Sequence, residues 1–86
     1  MIDYRLHTFL TVCRYMNYTK AARELFITQP ALSDAIHSLE KELGVPLFRR
    51  EGRNVRLTRY GSEFASYVDA ALRELDKGVS VMKEYT

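Results

Sequence analysis

The segment from Thr28 to Pro46 constrains this chain more than any other, because both ends of a helix are spelled out in it. Thr28 is a natural N-cap, and Pro30 falls in the first turn, where a missing N–H costs little. Leu32, Ile36, Leu39 and Leu43 follow at i, i+4, i+7 and i+11, which is one apolar face. Gly44 supplies the stop, and Pro46 comes two residues later. The spacing predicts a helix over residues 29–43 that is covered along one edge only. Its other edge carries Ser33, Asp34, His37 and Lys41.

Two helices precede it. Leu6, Phe9, Leu10 and Cys13 fall at i, i+3, i+4 and i+7 and predict a helix over 4–15. Asn17 or Thr19 offers the N-cap of a second, short helix through Leu25. The small Ala21-Ala22 pair lets another helix come close, and Phe26-Ile27-Thr28 is a brief connection without glycine. After Pro46 the period changes. Leu47-Phe48 is apolar, Glu51-Gly52-Arg53-Asn54 is a polar tip, and Val55 and Leu57 alternate with Arg56. That predicts a small hairpin turning at Gly52 to Asn54. From Thr58 onward there is no proline, and Phe64, Val68, Ala71, Leu75 and Met82 mark a 4-3-4 repeat with Gly78 in the remaining slot. The expected fold class is mainly α: a winged helix-turn-helix of three helices and a β-hairpin wing, followed by a long linker helix. The winged domain is expected at 1–58, with the helix-turn-helix near 18–37 and the wing near 46–58. The linker helix is expected at 59–86.

An 86-residue chain is one domain and buries only about 60–65% of its unfolded surface, so it gains from a second copy. Association would hide the stripe at Phe64, Val68, Ala71 and Leu75, with the contact strongest there because Gly78 interrupts the seam. The one cysteine, Cys13, excludes an internal disulfide, fits a reducing cytoplasm, and lies on an apolar stripe as a core residue. Residues 1–5 lack the apolar run of a signal peptide, and no stretch approaches membrane-spanning length, so a cytoplasmic, nucleoid-associated protein without a membrane partner is expected.

Charge is unevenly placed. Residues 1–61 hold 10 Lys/Arg against 6 Asp/Glu, or +4, and residues 62–86 hold 3 against 5, or −2. Five arginines (Arg49, Arg50, Arg53, Arg56 and Arg59) lie within eleven residues. A basic patch on a nearly neutral chain suggests an oriented contact with a polyanion. A helix covered along one edge can place its polar edge in a major groove of double-stranded DNA. Gln29 in its first turn can bond an adenine edge, Ser33 is small enough to sit deep, Pro30 starts the helix and contacts DNA secondarily, and His37 lies one turn on. Arg50 and Arg53 are candidate phosphate or minor-groove ligands, whereas Arg49, Arg56 and Arg59 read as solvated or paired on the surface. Enzyme chemistry finds no support: the two histidines lie on different helices, Cys13 is core-like and no glycine-rich loop exists, so no catalytic residue, metal or cofactor is expected in this chain.

The residues Ala21-Ala22, Leu25, Gln29-Pro30-Ala31-Leu32-Ser33, Ile36, Leu39-Glu40, Leu43-Gly44-Val45-Pro46-Leu47-Phe48, Arg50, Leu57-Thr58 and Gly61 stand at fixed spacing. With them the chain resembles the LysR-type transcriptional regulators from residue 4 to about 65. The resemblance implies a bacterial DNA-binding domain and a dimerising linker helix. It also implies a homodimer, or a tetramer of the full-length protein, on an inverted-repeat operator. A small-molecule effector would bind only through a larger domain that this chain lacks. Two positions depart from the family pattern. Met16 and Asn17 stand where many members have glycine and serine, and Asn17 can still cap. Asp34 stands where relatives often have arginine, and a carboxylate is repelled by phosphate. Two other readings remain at this point: a different winged-helix regulator of the molybdate-responsive type, and a winged helix used for protein contact, which would favour apolar residues around the hairpin.

Overall fold

The computed structural model describes residues 4–86. The reading of residues 1–3 as no part of a signal peptide lies outside the described residues. Six elements follow in order: α1 (Arg5–Tyr15), α2 (Tyr18–Glu24), α3 (Gln29–Leu43), β1 (Phe48–Glu51), β2 (Asn54–Leu57) and α4 (Arg59–Lys83).

The starts of α2, α3 and α4 are capped by side chains. Asn17 Oδ1 accepts the Lys20 N–H, Thr28 Oγ1 accepts that of Ala31, and Thr58 Oγ1 accepts that of Gly61. Gly44 ends α3 in the left-handed region at φ 78°. The turn between α2 and α3 has the same kind of stop without a glycine. Phe26 takes φ 57°, its N–H donates to Arg23 O, and the Ile27 N–H donates to Ala22 O. This pairing satisfies two end carbonyls of α2, at a backbone cost of about 1 kcal/mol for a residue with a Cβ.

Phe9, Leu32, Ile36, Leu39 and Leu47 are fully buried, and Ala21 and Ala22 let α2 approach. The buried arc of α1 differs from the expected stripe. Arg5, Thr8, Phe9 and Val12 are the buried residues, while Leu6, Leu10 and Cys13 are only partly covered. The cause is that α1 is covered on two sides. It packs on α2 and α3 along one edge and on α4 along the other, so more than one stripe is needed. Burial pushes the Cys13 thiol up to about 12, which keeps it protonated at neutral pH.

The wing is a two-stranded antiparallel hairpin with Phe48 opposite Leu57 and Glu51 opposite Asn54. Its loop is therefore Gly52-Arg53, one residue shorter than the expected turn. Gly52 takes φ 65°, as a first loop residue in a two-residue hairpin of this hand requires.

Helix α4 spans 25 residues, nearly seven turns, and gives the molecule its 48 Å long axis. The seam expected along it divides in two. Phe64 packs against Phe9 with ring centroids 5.4 Å apart and planes tilted by 54°, and Val68 is 3% exposed in the core, because α4 lies back across α1. Val68 therefore serves the domain's own core and is not a free face, which departs from the expected seam, while Phe64 is only partly covered. Ala71, and Leu75 at 63% exposure, remain open, joined by Val79 and Met82 one and two turns further. No helix among the described residues is long and apolar enough to cross a membrane.

Candidate nucleic-acid interface

The core takes one edge of α3 and leaves the other to solvent. Leu32, Ala35, Ile36 and Leu39 face inward. Pro30, Asp34, His37 and Lys41 are exposed at helical spacing, with Gln29 and Ser33 partly exposed beside them. The first two turns of α3 thus present a small hydroxyl, an amide and a carboxylate together. Asp34 makes no hydrogen bond or ion pair within the described residues. Ser38, at the flank, is occupied by the guanidinium of buried Arg5, which donates to its Oγ at 2.8 Å and also pairs with Glu42. This cluster ties α1 to the second half of α3. Its signal in the sequence, a single arginine among apolar neighbours, does not identify its partner.

The wing joins α3 through Glu40. Its Oε2 accepts the N–H groups of Leu47 at 2.6 Å and Phe48 at 3.2 Å. The base of the hairpin is therefore held to the helix by a charge-assisted pair of bonds. Within the wing the arginines differ in role. Arg50 lies 5.5 Å above the Tyr18 ring, on the inner face with Val55. Burial, then the Glu40 carboxylate, push the Tyr18 phenol up to about 12 against the pull of Arg50, so the ring is a neutral platform. Arg56 pairs with Glu51 at 3.0 Å and Arg59 lies over Tyr60, in keeping with the surface pairing expected of them. Arg49 is exposed. Arg53 occupies the second loop position at the tip, exposed, its guanidinium unpartnered among the described residues.

The structure therefore gathers Gln29, Pro30, Ser33, Asp34 and His37 on one edge of α3. It holds Arg50 against the domain and puts Arg53 at the wing tip. Hydrogen-bond donors, a neutral helix edge and unpaired cations in this arrangement suit a ligand that carries both a polar groove and a phosphate backbone. Among the described residues no group of acidic, histidine or cysteine side chains is arranged to hold a metal ion.

Comparison with known proteins agrees with this geometry. Residues 4–62 match the family model described as a bacterial regulatory helix-turn-helix protein of the lysR family. The chain is 49% identical to the uncharacterized HTH-type transcriptional regulator YybE of Bacillus subtilis (strain 168), over 86% of this chain and 25% of that protein. It is 43% identical to the HTH-type transcriptional regulator CitR of the same organism, over 92% of this chain and 26% of CitR. The chain thus spans about a quarter of the length of these relatives. Among solved structures, that of the BenM DNA-binding domain in complex with benA site 1 DNA superposes with a TM-score of 0.92, at 38% identity over 100% of both chains.

Proposed function

The chain belongs to the lysR family of bacterial regulatory helix-turn-helix proteins, and from that premise we propose that it is the sequence-specific DNA-binding part of a transcriptional regulator. The observation that carries the reading is the uncovered polar edge of α3, Gln29 to Lys41, on a helix whose opposite edge is buried. In this reading α3 enters the major groove of double-stranded DNA, Gln29 and Ser33 meet base edges, and Arg53 enters the adjoining minor groove. Two chains pair through α4 on an inverted-repeat operator. The contact uses this chain's own side chains and needs no cofactor. An effector would act through a further domain, and the protein works in the cytoplasm beside its DNA. Family membership favours this type over the molybdate-responsive one, and the arginines of the wing disfavour a surface built for apolar protein contact.

Selection from a random DNA pool by the wild-type chain tests the reading. Recovery of an inverted repeat is expected, and recovery of unenriched sequence would overturn it. On the recovered duplex, Arg53→Ala should weaken binding and flatten the slope of log K against log salt by about 0.9, the share of one phosphate contact. Unchanged affinity and slope would place Arg53 in solvent.

Asp34 gives a second, separable result. An exposed carboxylate on the DNA-facing edge is repelled by phosphate, but it can accept a hydrogen bond from a cytosine N4 amine, and such a contact discriminates by roughly 1–3 kcal/mol. Binding of wild type and Asp34→Ala to duplexes varied one base pair at a time should show preference lost at one base pair only. If the variant instead binds every duplex more tightly by a common factor, Asp34 acts as a repulsive surface charge and reads nothing.

A further inference from the structure

We infer that Asn17 is a positioning residue that aims the wing tip at DNA, a role that rests on the DNA-binding reading above. Its amide works at both ends. Oδ1 accepts the Lys20 N–H at 2.9 Å and caps α2. Nδ2 donates to Asn54 Oδ1 at 3.0 Å and to the Arg53 carbonyl oxygen at 3.3 Å. Chemistry fixes this orientation, since a backbone N–H needs an acceptor and a carbonyl needs a donor, and reversing the amide would lose both contacts. Beside it the Val55 N–H donates to the Met16 carbonyl at 3.0 Å, on the left-handed corner between α1 and α2, where Met16 takes φ 52°.

Consecutive residues 53–55 are thereby bonded to that corner. A two-stranded hairpin has little stability of its own and swings unless it is held. Glu40 holds the base of this one, at Leu47 and Phe48. Asn17 holds the far end, and the carbonyl it binds belongs to Arg53 itself. The guanidinium therefore projects from a fixed backbone, and less freedom is lost when it meets the duplex. Serine caps a helix equally well but is too short and has too few donors to reach the wing as well. The tether is thus a property of asparagine at this position, separable from the cap.

The separation makes the test. Two duplexes are taken from those the wild-type chain selects, identical at the recognition-helix base pairs and carrying either an A-tract or a G·C-rich step under the wing. A-tracts narrow the minor groove and deepen its negative potential, so an aimed Arg53 prefers them. Asn17→Ser should keep the circular dichroism of the wild type and its base preferences under α3. It should lose most of the A-tract preference and flatten the salt slope by up to about 0.9. Asn54→Ala, which leaves the α2 cap untouched, should move the same two readouts in the same direction and serves if Asn17→Ser folds poorly. Retention of both the A-tract preference and the slope in either folded variant would overturn the inference, as would a wild type indifferent to the flank. An equal loss at every base pair would also overturn it, because that is the mark of a residue that only supports the fold. Failure of the wild-type chain to select any sequence would sink the DNA-binding reading itself, a different result from either.

Discussion

Gly61→Ala is expected to destabilise the domain by about 2–3 kcal/mol, a large share of what a chain of this size has. A Cβ at this position would lie 2.1 Å from the carbonyl oxygen of Leu47 and 2.9 Å from Cδ2 of Leu57, where α4 crosses the base of the wing. The Leu47 peptide cannot simply step aside. Its N–H donates to Glu40 and its carbonyl accepts from Thr58 N at 3.0 Å, while Thr58 Oγ1 in turn caps Gly61 N at 3.0 Å. Overpacking against a held backbone costs roughly 1–3 kcal/mol, and each hydrogen bond lost in the adjustment adds about 1 kcal/mol. Alanine returns at most about 1 kcal/mol of helix propensity, so the clash wins by about 2–3 kcal/mol. A chain of this size has on the order of 4–13 kcal/mol in all, and the expected fall in Tm is about 10–20 °C. Gly78→Ala is the control of opposite sign. Nothing lies within 4 Å of a Cβ there, and the position is an exposed helix interior, so alanine should stabilise by up to about 1 kcal/mol. Thermal melts at one fixed chain concentration decide the matter. A Gly61→Ala chain melting within a few degrees of wild type would mean that α4 does not sit on the wing base as described.

The contrast between these glycines shows which parts of the fold were legible in the sequence. Thr28, Pro30 and Gly44 act on their own neighbours, so the ends of α3 follow from local chemistry. The same holds for the Asn17 cap and the Gly52 turn, the latter misplaced only at its far end. Gly61 stands in the sequence as a glycine near a helix start, and the carbonyl it must clear is fourteen residues away. Val12 was missed for the same kind of reason: it shares the buried arc of Arg5, Thr8 and Phe9, and Arg5 on that arc reaches α3 more than thirty residues on. Phe64 and Val68 share a period with Leu75 and Met82, and periodicity is blind to whether a stripe meets its own domain or a second copy.

The candidate site divides in the same way. Gln29, Ser33, Asp34 and His37 were legible because one face of an amphipathic helix defines the other. Arg53 was legible as the tip of a turn. The devices that hold these residues in place were not. Glu40 reaches the wing backbone seven and eight residues ahead, Arg5 reaches Ser38 and Glu42, and Asn17 reaches Asn54. Each joins a polar side chain to a partner that only the folded chain brings near, and the residue type alone names no partner.

Leu75→Asp is expected to give a folded monomer that binds a half-site as the wild type does and the full inverted repeat far more weakly. Beyond Leu72, α4 leaves the domain, and every residue from Arg73 onward is exposed. A free helical arm this short is marginal in water, so the exposed Leu75, Val79 and Met82 need a cover. An antiparallel second copy supplies one, and two-fold symmetry counts each contact twice. Burying one leucine is worth roughly 1.5–3 kcal/mol, so the pair contributes about 3–6 kcal/mol, or at least a hundredfold in dimer affinity. Replacing it with a carboxylate forfeits that burial and forces a charge into an apolar seam. On DNA the loss appears as lost avidity, on the order of 10²-fold or more for the full site. The choice of residue matters, because Val68→Asp would place the charge in the core of the domain, at a side chain only 3% exposed, and would confuse unfolding with dissociation. Sedimentation at about 50 micromolar chain, a concentration high enough to favour an ordinary dimer, reads the first part, and titrations of whole and half sites read the second. A variant that remains dimeric and keeps full-site affinity would move the pairing surface away from the end of α4. The apolar groove between α3 and α4, lined by Leu43, Val45, Tyr60 and Tyr67, would then be the face to alter next.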